Sequence, residues 1–285
     1  MKNAIEIKEV TKKYDNKFEL GPINLSIPSG NIIGLIGENG AGKTTLIKSI
    51  LNIISVKNGS IRVFDKDIKE DEIKEDIGVV LDDMFFPEIL TAKDINIIMK
   101  DIYKNWDKDL FQKYLNDFNL PTDKKIKELS KGMRKKLEIA TSLAHKPKLL
   151  ILDEPTSGLD PVVRSEVLDI FLNFIKDEEH TILLSTHITS DLEHIADKII
   201  FIDKGKVLLE ENRDELLDNY GILKCSIEEF DKISPNDIIK YKKQKYNYEI
   251  LIKDKNKLSK KYKNYIIDKI TLEELMVLMI KGDVK

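Results

Sequence analysis

The chain has 285 residues, more than one domain usually takes, so one large domain and a smaller one are expected. Hydrophobic residues at 41% and charged residues at 34% describe a globular protein with a well-solvated surface, and 47 Lys+Arg against 50 Asp+Glu leave a net charge of −3, which excludes a global polycation for non-specific nucleic-acid binding. A single cysteine, Cys225, excludes an intrachain disulfide and a thiolate metal cluster and fits a reducing cytosol, where it reads as a small buried residue of a strand.

The N-terminus, MKNAIEIKEV, lacks the apolar core of a signal peptide, and no apolar run approaches the ~18–20 residues that span a bilayer. Ile5, Ile7 and Val10 alternate with polar residues as in an amphipathic strand, and INLSI at 23–27 predicts another. NIIGLIG at 31–37 is a short apolar run ending in glycine, which suits a strand buried on both faces, and a helix is expected from Gly42 to about Asn52. SIRVFD at 60–65 and DIGVVLD at 76–82 predict further strands. From Thr91 to His145 the pattern becomes helical, with Ile95, Ile98, Met99 and Ile102 on one face. LLILD at 149–153 and TILLS at 181–185 are again buried-strand runs, with a helix between them starting at Pro161. KIIFID and KVLLEE, joined by Lys204-Gly205, predict a hairpin. Beyond Tyr220, Tyr and Lys become frequent. YNYEILIKD at 246–254 reads as a strand, and TLEELMVLMIKG at 271–282 as a helix opened by a capping box from Thr271 to Glu274.

Buried strands alternating with helices predict an α/β fold: a P-loop NTPase core with a mostly parallel sheet, an N-terminal antiparallel β subdomain, a helical insertion and a small C-terminal α+β appendage. The expected boundaries are 1–219 for the core domain, with its helical subdomain at about 85–145, and 220–285 for the appendage.

The chemistry concentrates in GENGAGKTT at 37–45, which follows a buried strand and precedes a helix as a phosphate-binding loop must. Gly37, Gly40 and Gly42 permit backbone conformations and close approaches that side chains would block, so successive N–H groups, including those of Asn39 and Ala41, can form an anion nest. Lys43 supplies a point charge for the β- and γ-phosphates, the Thr44 hydroxyl suits Mg²⁺, and Thr45 continues into the helix, whose positive end also favours phosphate. LLILDE at 149–154 delivers two acids to a strand's C-terminal edge, where ligands collect in open α/β sheets. Asp153 is placed to hold Mg²⁺ and Glu154 to accept a proton from an attacking water, and strand alternation assigns them to opposite sides.

With these motifs in order, the chain resembles the ATP-binding-cassette family over about residues 1–215. LSKGM at 129–133 is similar to the family's signature loop, usually LSGGQ, and keeps Ser130 and Gly132. The resemblance implies that these two residues meet the γ-phosphate held by a second subunit. SGLD at 157–160 resembles the loop coupling two active sites through Asp160, STH at 185–187 the switch segment with His187 on the γ-phosphate, and Tyr14 matches the aromatic that stacks on adenine. Taken by themselves, LSKGM is an ordinary helix cap, His187 a solvated strand-end histidine and Tyr14 a surface tyrosine.

Two positions depart from the family pattern. The segment 77–91 has Asp82 where the family usually ends its strand in glutamine; Asp82 either takes a metal-linked role beside the other two acids, or turns away while Asp83 caps the loop. Lys131 replaces a glycine and either adds charge near the partner's phosphates or faces solvent. The departures resemble a subgroup of bacterial exporter-type cassettes found beside separate permeases.

The resemblance implies an ATPase using ATP and Mg²⁺ that dimerises with a copy or paralogue and powers a separate transmembrane permease, from the cytoplasm, at the inner face of the cell membrane. No nucleic-acid partner is expected. The alternative is a soluble cassette ATPase acting on the ribosome or nucleic acid, but those members carry two cassettes per chain or long coiled coils, and neither pattern occurs here. A P-loop kinase or GTPase would leave LSKGM and STH unexplained and lacks the N-K-x-D motif for guanine.

Overall fold

The computed structural model describes residues 2–14, 18–82 and 86–285. Strands β1 (Asn3–Tyr14) and β2 (Phe18–Pro28) pair antiparallel. Ile23, Leu25 and Ile27 are buried while Asn24 and Ser26 face outward, the alternation of a sheet packed on one face only. β3 (Ile32–Ile36) is buried at every position and leads through the 37–42 loop into α1 (Lys43–Ile50). β4 (Asn58–Val63) returns to β1, and β5 (Lys66–Asp67) completes a four-stranded sheet in the order β2-β1-β4-β5. The run expected at 60–65 stops at Val63 because Phe64 and Asp65 adopt φ of 48° and 66°, turning the chain into β5. β6 (Ile77–Val80) follows.

The helical insertion contains α2 (Ala92–Ile102), α3 (Lys108–Asp117) and α4 (Lys131–Leu143). Its core gathers Ala92, Ile95, Phe111, Leu115, Leu137 and Ala140. The expected face of α2 is only half used: Ile95 is fully buried and Met99 packs beside it, but Ile98 is 38% and Ile102 58% exposed. At about 100° per residue Ile98 lies roughly 60° to one side of Ile95, and Ile102, though nearly in line with Ile95, is the last residue of the helix and stays uncovered.

β7 (Leu149–Asp153), α5 (Pro161–Phe174), β8 (Thr181–Ser185), α6 (Thr189–Ile195), β9 (Lys198–Asp203) and β10 (Lys206–Asn212) complete a six-stranded sheet in the order β10-β9-β3-β8-β7-β6. It is parallel except for the β9–β10 hairpin. β7 and β8, like β3, are buried at all five positions, as helices on one face and the antiparallel sheet on the other require. This order brings the C-terminal ends of β3, β7 and β8 side by side.

After α7 (Arg213–Asn219) come β11 (Gly221–Ser226), β12 (Lys240–Lys243), β13 (Asn247–Ile252), α8 (Lys255–Lys261), β14 (Ile266–Lys269) and α9 (Leu272–Lys281). The four strands form their own antiparallel sheet, β12-β13-β11-β14, with Cys225 buried in β11. The Thr271–Glu274 capping box opens α9. Leu272, Leu275 and Leu278 of α9 share a core with Leu192 and Ile195 of α6, and the Leu272 N–H donates to Glu193 Oε1 at 2.6 Å. Among the described residues no helix is long and apolar enough to cross a membrane.

Candidate nucleotide site

The phosphate loop is shaped by its glycines. Gly42 adopts φ 113°, and a Cβ there would stand 3.0 Å from the Phe18 ring and 3.2 Å from Leu20 Cδ1. Below the loop, the turn of the β9–β10 hairpin acts as a brace: the Gly205 N–H donates to the Ala41 carbonyl at 2.8 Å and the Gly205 carbonyl accepts from the Gly21 N–H at 2.7 Å. Gly205 itself has φ 75°, and a Cβ would lie 2.1 Å from the Glu19 carbonyl oxygen, so only glycine fits the wedge.

Lys43 is buried beneath this loop, its ammonium donating to the Gly37 carbonyl at 2.7 Å. Burial pulls its pKa below the ordinary lysine value, against the opposing pull of Glu154 and then Asp153. Thr44 donates its hydroxyl to Asp153 Oδ2 at 2.7 Å, and the Ser185 hydroxyl donates to Asp153 Oδ1. Asp153 is 1% exposed, and its two oxygens are held by hydroxyls from the first turn of α1 and the end of β8.

Glu154 lies one residue past β7 and its backbone takes φ 50°, so the alternation expected of two strand residues does not set its direction. The left-handed turn carries its carboxylate toward the loop instead: Oε1 is 3.8 Å from Lys43 Nζ and Oε2 is 2.7 Å from His187 Nδ1. The two acids have different partners, Thr44 and Ser185 for Asp153 and Lys43 and His187 for Glu154, but both lie beside the phosphate loop.

A cleft of about 430 Å³ is lined by Phe18, Glu38, Asn39, Gly40, Gly42, Lys43, Thr44, Thr45, Asp82 and Glu154. It collects a buried cation, acids, hydroxyls and backbone N–H groups of the loop, the requirements of a polyphosphate site. A protein-family model described as "ABC transporter" matches residues 20–157. The lantibiotic transport ATP-binding protein SrtF of Streptococcus pyogenes is 37% identical over 223 residues, covering 75% of this chain and 96% of that protein. The chain belongs to the ABC transporter ATP-binding family.

Other members of the family agree. The ABC transporter ATP-binding protein YtrB of Bacillus subtilis is 32% identical over 76% of this chain and 74% of its own. The bacitracin transport ATP-binding protein BcrA of Bacillus licheniformis is 34% identical over 76% of this chain and 72% of its own. Among solved structures, cbiO1 of Clostridium perfringens, part of the ABC transporter complex cbiONQ, superposes with a TM-score of 0.64 at 26% identity, covering 76% of this chain and 92% of that one. The cassette binds and hydrolyses ATP as the ATP-binding subunit of an ABC transporter, and its relatives favour that reading over the ribosome or nucleic-acid alternative.

Of the remaining cassette motifs, some stand apart from the cleft. Ser130 caps α4 by accepting from the Met133 N–H at 3.2 Å, and Gly132 faces the Val163 side chain. Asp160 caps α5 through the Val162 and Val163 N–H groups, each at 3.1 Å. All three lie outside the lining of the cleft in their own chain. Tyr14 is 41% exposed beneath the Lys12 ammonium and does not line the cleft; Phe18, whose ring centre is 6.5 Å from that of Tyr14, does. Asp82 faces the cleft, and Asp83, its alternative, lies outside the described residues. Lys131 is exposed, in keeping with the solvent-facing alternative, and its ammonium lies beside Gly158 of the SGLD loop.

Sequence reading overlooked Phe18, Ser185 and a buried hub at Asp191. That carboxylate, 1% exposed, accepts from the Thr156 hydroxyl at 2.6 Å and pairs with Arg164, which also donates to the Ser190 hydroxyl at 2.7 Å. The hub ties the segment after Glu154 to the starts of α5 and α6. A Thr, an Arg and an Asp separated by up to 35 positions carry no local signal.

Proposed function

We propose that this subunit works as one half of an ATP-clamped pair, two copies or a copy and a paralogue, that drives a separate permease at the inner face of the cell membrane. The observation carrying this reading is the convergence of Lys43, Thr44 and Glu154 on one cleft, with Asp153 hydrogen-bonded to Thr44 behind its wall, while Ser130, Gly132 and Asp160 stand outside it. A second cassette presenting its Ser130 loop would complete each cleft.

Mg²⁺ fits the donor set: hard oxygens from Thr44 and Asp153, already 2.7 Å apart, with Asp82 on the same cleft wall. Among the described residues no group of three or more His, Cys, Asp or Glu side chains could hold a metal alone, which suits an ion bound largely through phosphate and water. When bound, Mg²⁺ would neutralise charge on the transferring phosphoryl group.

The chain's own residues do the rest. The loop N–H groups and Lys43 hold the β- and γ-phosphates, the lysine exchanging its Gly37 carbonyl for a phosphate oxygen. Phe18 and Tyr14 flank the nucleoside end. Glu154 orients and deprotonates the attacking water, and His187 holds the other side of that carboxylate and reaches the γ-phosphate. We assign residues 1–219 to the cassette, with a helical subdomain at about 85–145 that meets the permease, and 220–285 to an appendage.

SrtF is named for lantibiotic transport and BcrA for bacitracin transport, so an amphiphilic peptide antibiotic is the cargo class we favour. The test is purification from detergent-solubilised membranes: recovery with a hydrophobic multi-span partner and ATPase activity supports the reading. Recovery only with ribosomes or DNA would sink it.

A further inference from the structure

Lys135 is the fifth residue beyond the Ser130 cap and is buried, only 6% exposed. Its ammonium crosses from α4 to the central sheet and donates to the Leu81 carbonyl at 3.0 Å. β6 pairs with β7 as far as Val80↔Leu152, so this carbonyl lies just past the ladder, and among the described residues its partner is the Lys135 side chain. The next residue is Asp82, on the wall of the phosphate cleft.

The ammonium is balanced by Glu138, one turn along α4, whose Oε2 is 2.8 Å from Lys135 Nζ and which is 7% exposed. Glu138 Oε2 has no aligned hydrogen bond among the described residues, so the contact is chiefly ionic. Burial pushes the Glu138 pKa up, Lys135 pulls it back, and the Asp82 charge adds to the push. A buried pair of this kind contributes little net stability compared with apolar residues of the same size, so its presence calls for a role in geometry.

We propose that Lys135 is a positioning residue for ATP hydrolysis: with Glu138 balancing its charge, it fixes the Leu81 carbonyl and so sets Asp82 at the rim of the phosphate cleft. Because α4 begins at Ser130, the same lysine ties the Asp82 rim to the loop that would meet a second subunit's nucleotide. The inference rests on the reading of Asp82 as a site residue and adds the device that holds it.

The experiment compares wild type with Lys135→Met, Lys135→Arg, Lys135→Met/Glu138→Leu, Asp82→Asn and Lys135→Met/Asp82→Asn, measuring kcat, KM for ATP and Tm. Lys135→Met should lower kcat about tenfold with KM for ATP within about twofold, as displacement of a positioned group does. Lys135→Arg should recover most of kcat. The apolar pair should recover the wild-type Tm but not its kcat, a split that a merely structural role cannot give. Asp82→Asn should lose a comparable factor, and adding Lys135→Met to it should cost nothing further. Recovery of kcat together with Tm in the apolar pair would overturn the proposal. So would losses that multiply in the Lys135→Met/Asp82→Asn variant, and that result would leave Asp82 in the site. Asp82→Asn with wild-type kcat would instead remove Asp82 from the site and the proposal with it.

Discussion

His187 Nδ1 lies 2.7 Å from Glu154 Oε2, joining the end of β8 to the residue after β7 across the floor of the nucleotide cleft. The other oxygen of the same carboxylate is 3.8 Å from the Lys43 ammonium. Glu154 is thus held from two sides before any substrate arrives, and the three residues separate by role. Glu154→Gln should keep ATP binding while turnover falls by at least about a hundredfold, the scale of a lost general base. An ATP-dependent dimer should then accumulate in size-exclusion chromatography. Lys43→Ala should instead weaken binding itself, seen by calorimetry with ATP. Full turnover in Glu154→Gln would show that another group activates the water.

Phe18 lines the cleft and Tyr14 does not, so the two aromatics should differ in effect. Phe18→Ala should raise KM for ATP several-fold with kcat nearly unchanged, the loss of about 0.5–1.5 kcal/mol of aromatic contact. Tyr14→Ala should change KM less. The reverse ranking would return the adenine platform to Tyr14.

Gly205 braces the phosphate loop from below through the Ala41 carbonyl. Gly205→Ala forces a Cβ against the Glu19 carbonyl at a positive φ, so the brace must shift at a cost of at least about 1 kcal/mol. Both Tm and ATP affinity should fall, although the residue touches no nucleotide. An unchanged affinity with a lowered Tm would limit the brace to stability.

His145 is 1% exposed, stacked on Tyr103 at 4.1 Å between ring centres, with Nε2 3.1 Å from the Ile77 carbonyl. Burial pushes its pKa below the ordinary histidine value, against the weaker pull of the Ile77 and Thr141 carbonyls and of Glu75 and Asp76. The unfolded chain therefore takes up the proton first, near pH 6.5. Stability from this residue is present above that pH and declines as pH falls toward the folded-state value, by up to about 1.4 kcal/mol per unit. Thermal unfolding of wild type and His145→Gln between pH 5 and 8 checks this: the wild-type advantage should shrink on acidification. A constant difference would assign the effect to other groups.

The strands of the central sheet were legible because residues buried on both faces are mostly apolar, as in IIGLI, LLIL at 149–152 and ILL at 182–184. The phosphate loop was legible because its glycines and lysine act within a few consecutive positions. What sequence hid depends on approach in space. Phe18 reaches the cleft through the β1–β2 pairing, Lys131 folds over Gly158, and Lys135 finds a carbonyl 54 positions earlier. The α2 face was over-read for a related reason. Periodicity reports which residues could be covered, and Ile98 and Ile102 have no covering element among the described residues.

The φ of 50° at Glu154 means that the main chain turns the acid toward Lys43 and His187. An L-residue held there carries a standing penalty of about 1–2 kcal/mol, which glycine would not. The site thus trades against the fold at a single position: Glu154→Gly would make the cassette sturdier and inert together. In a random library screened only for thermal resistance, the glutamate proposed as the base would be among the first residues lost.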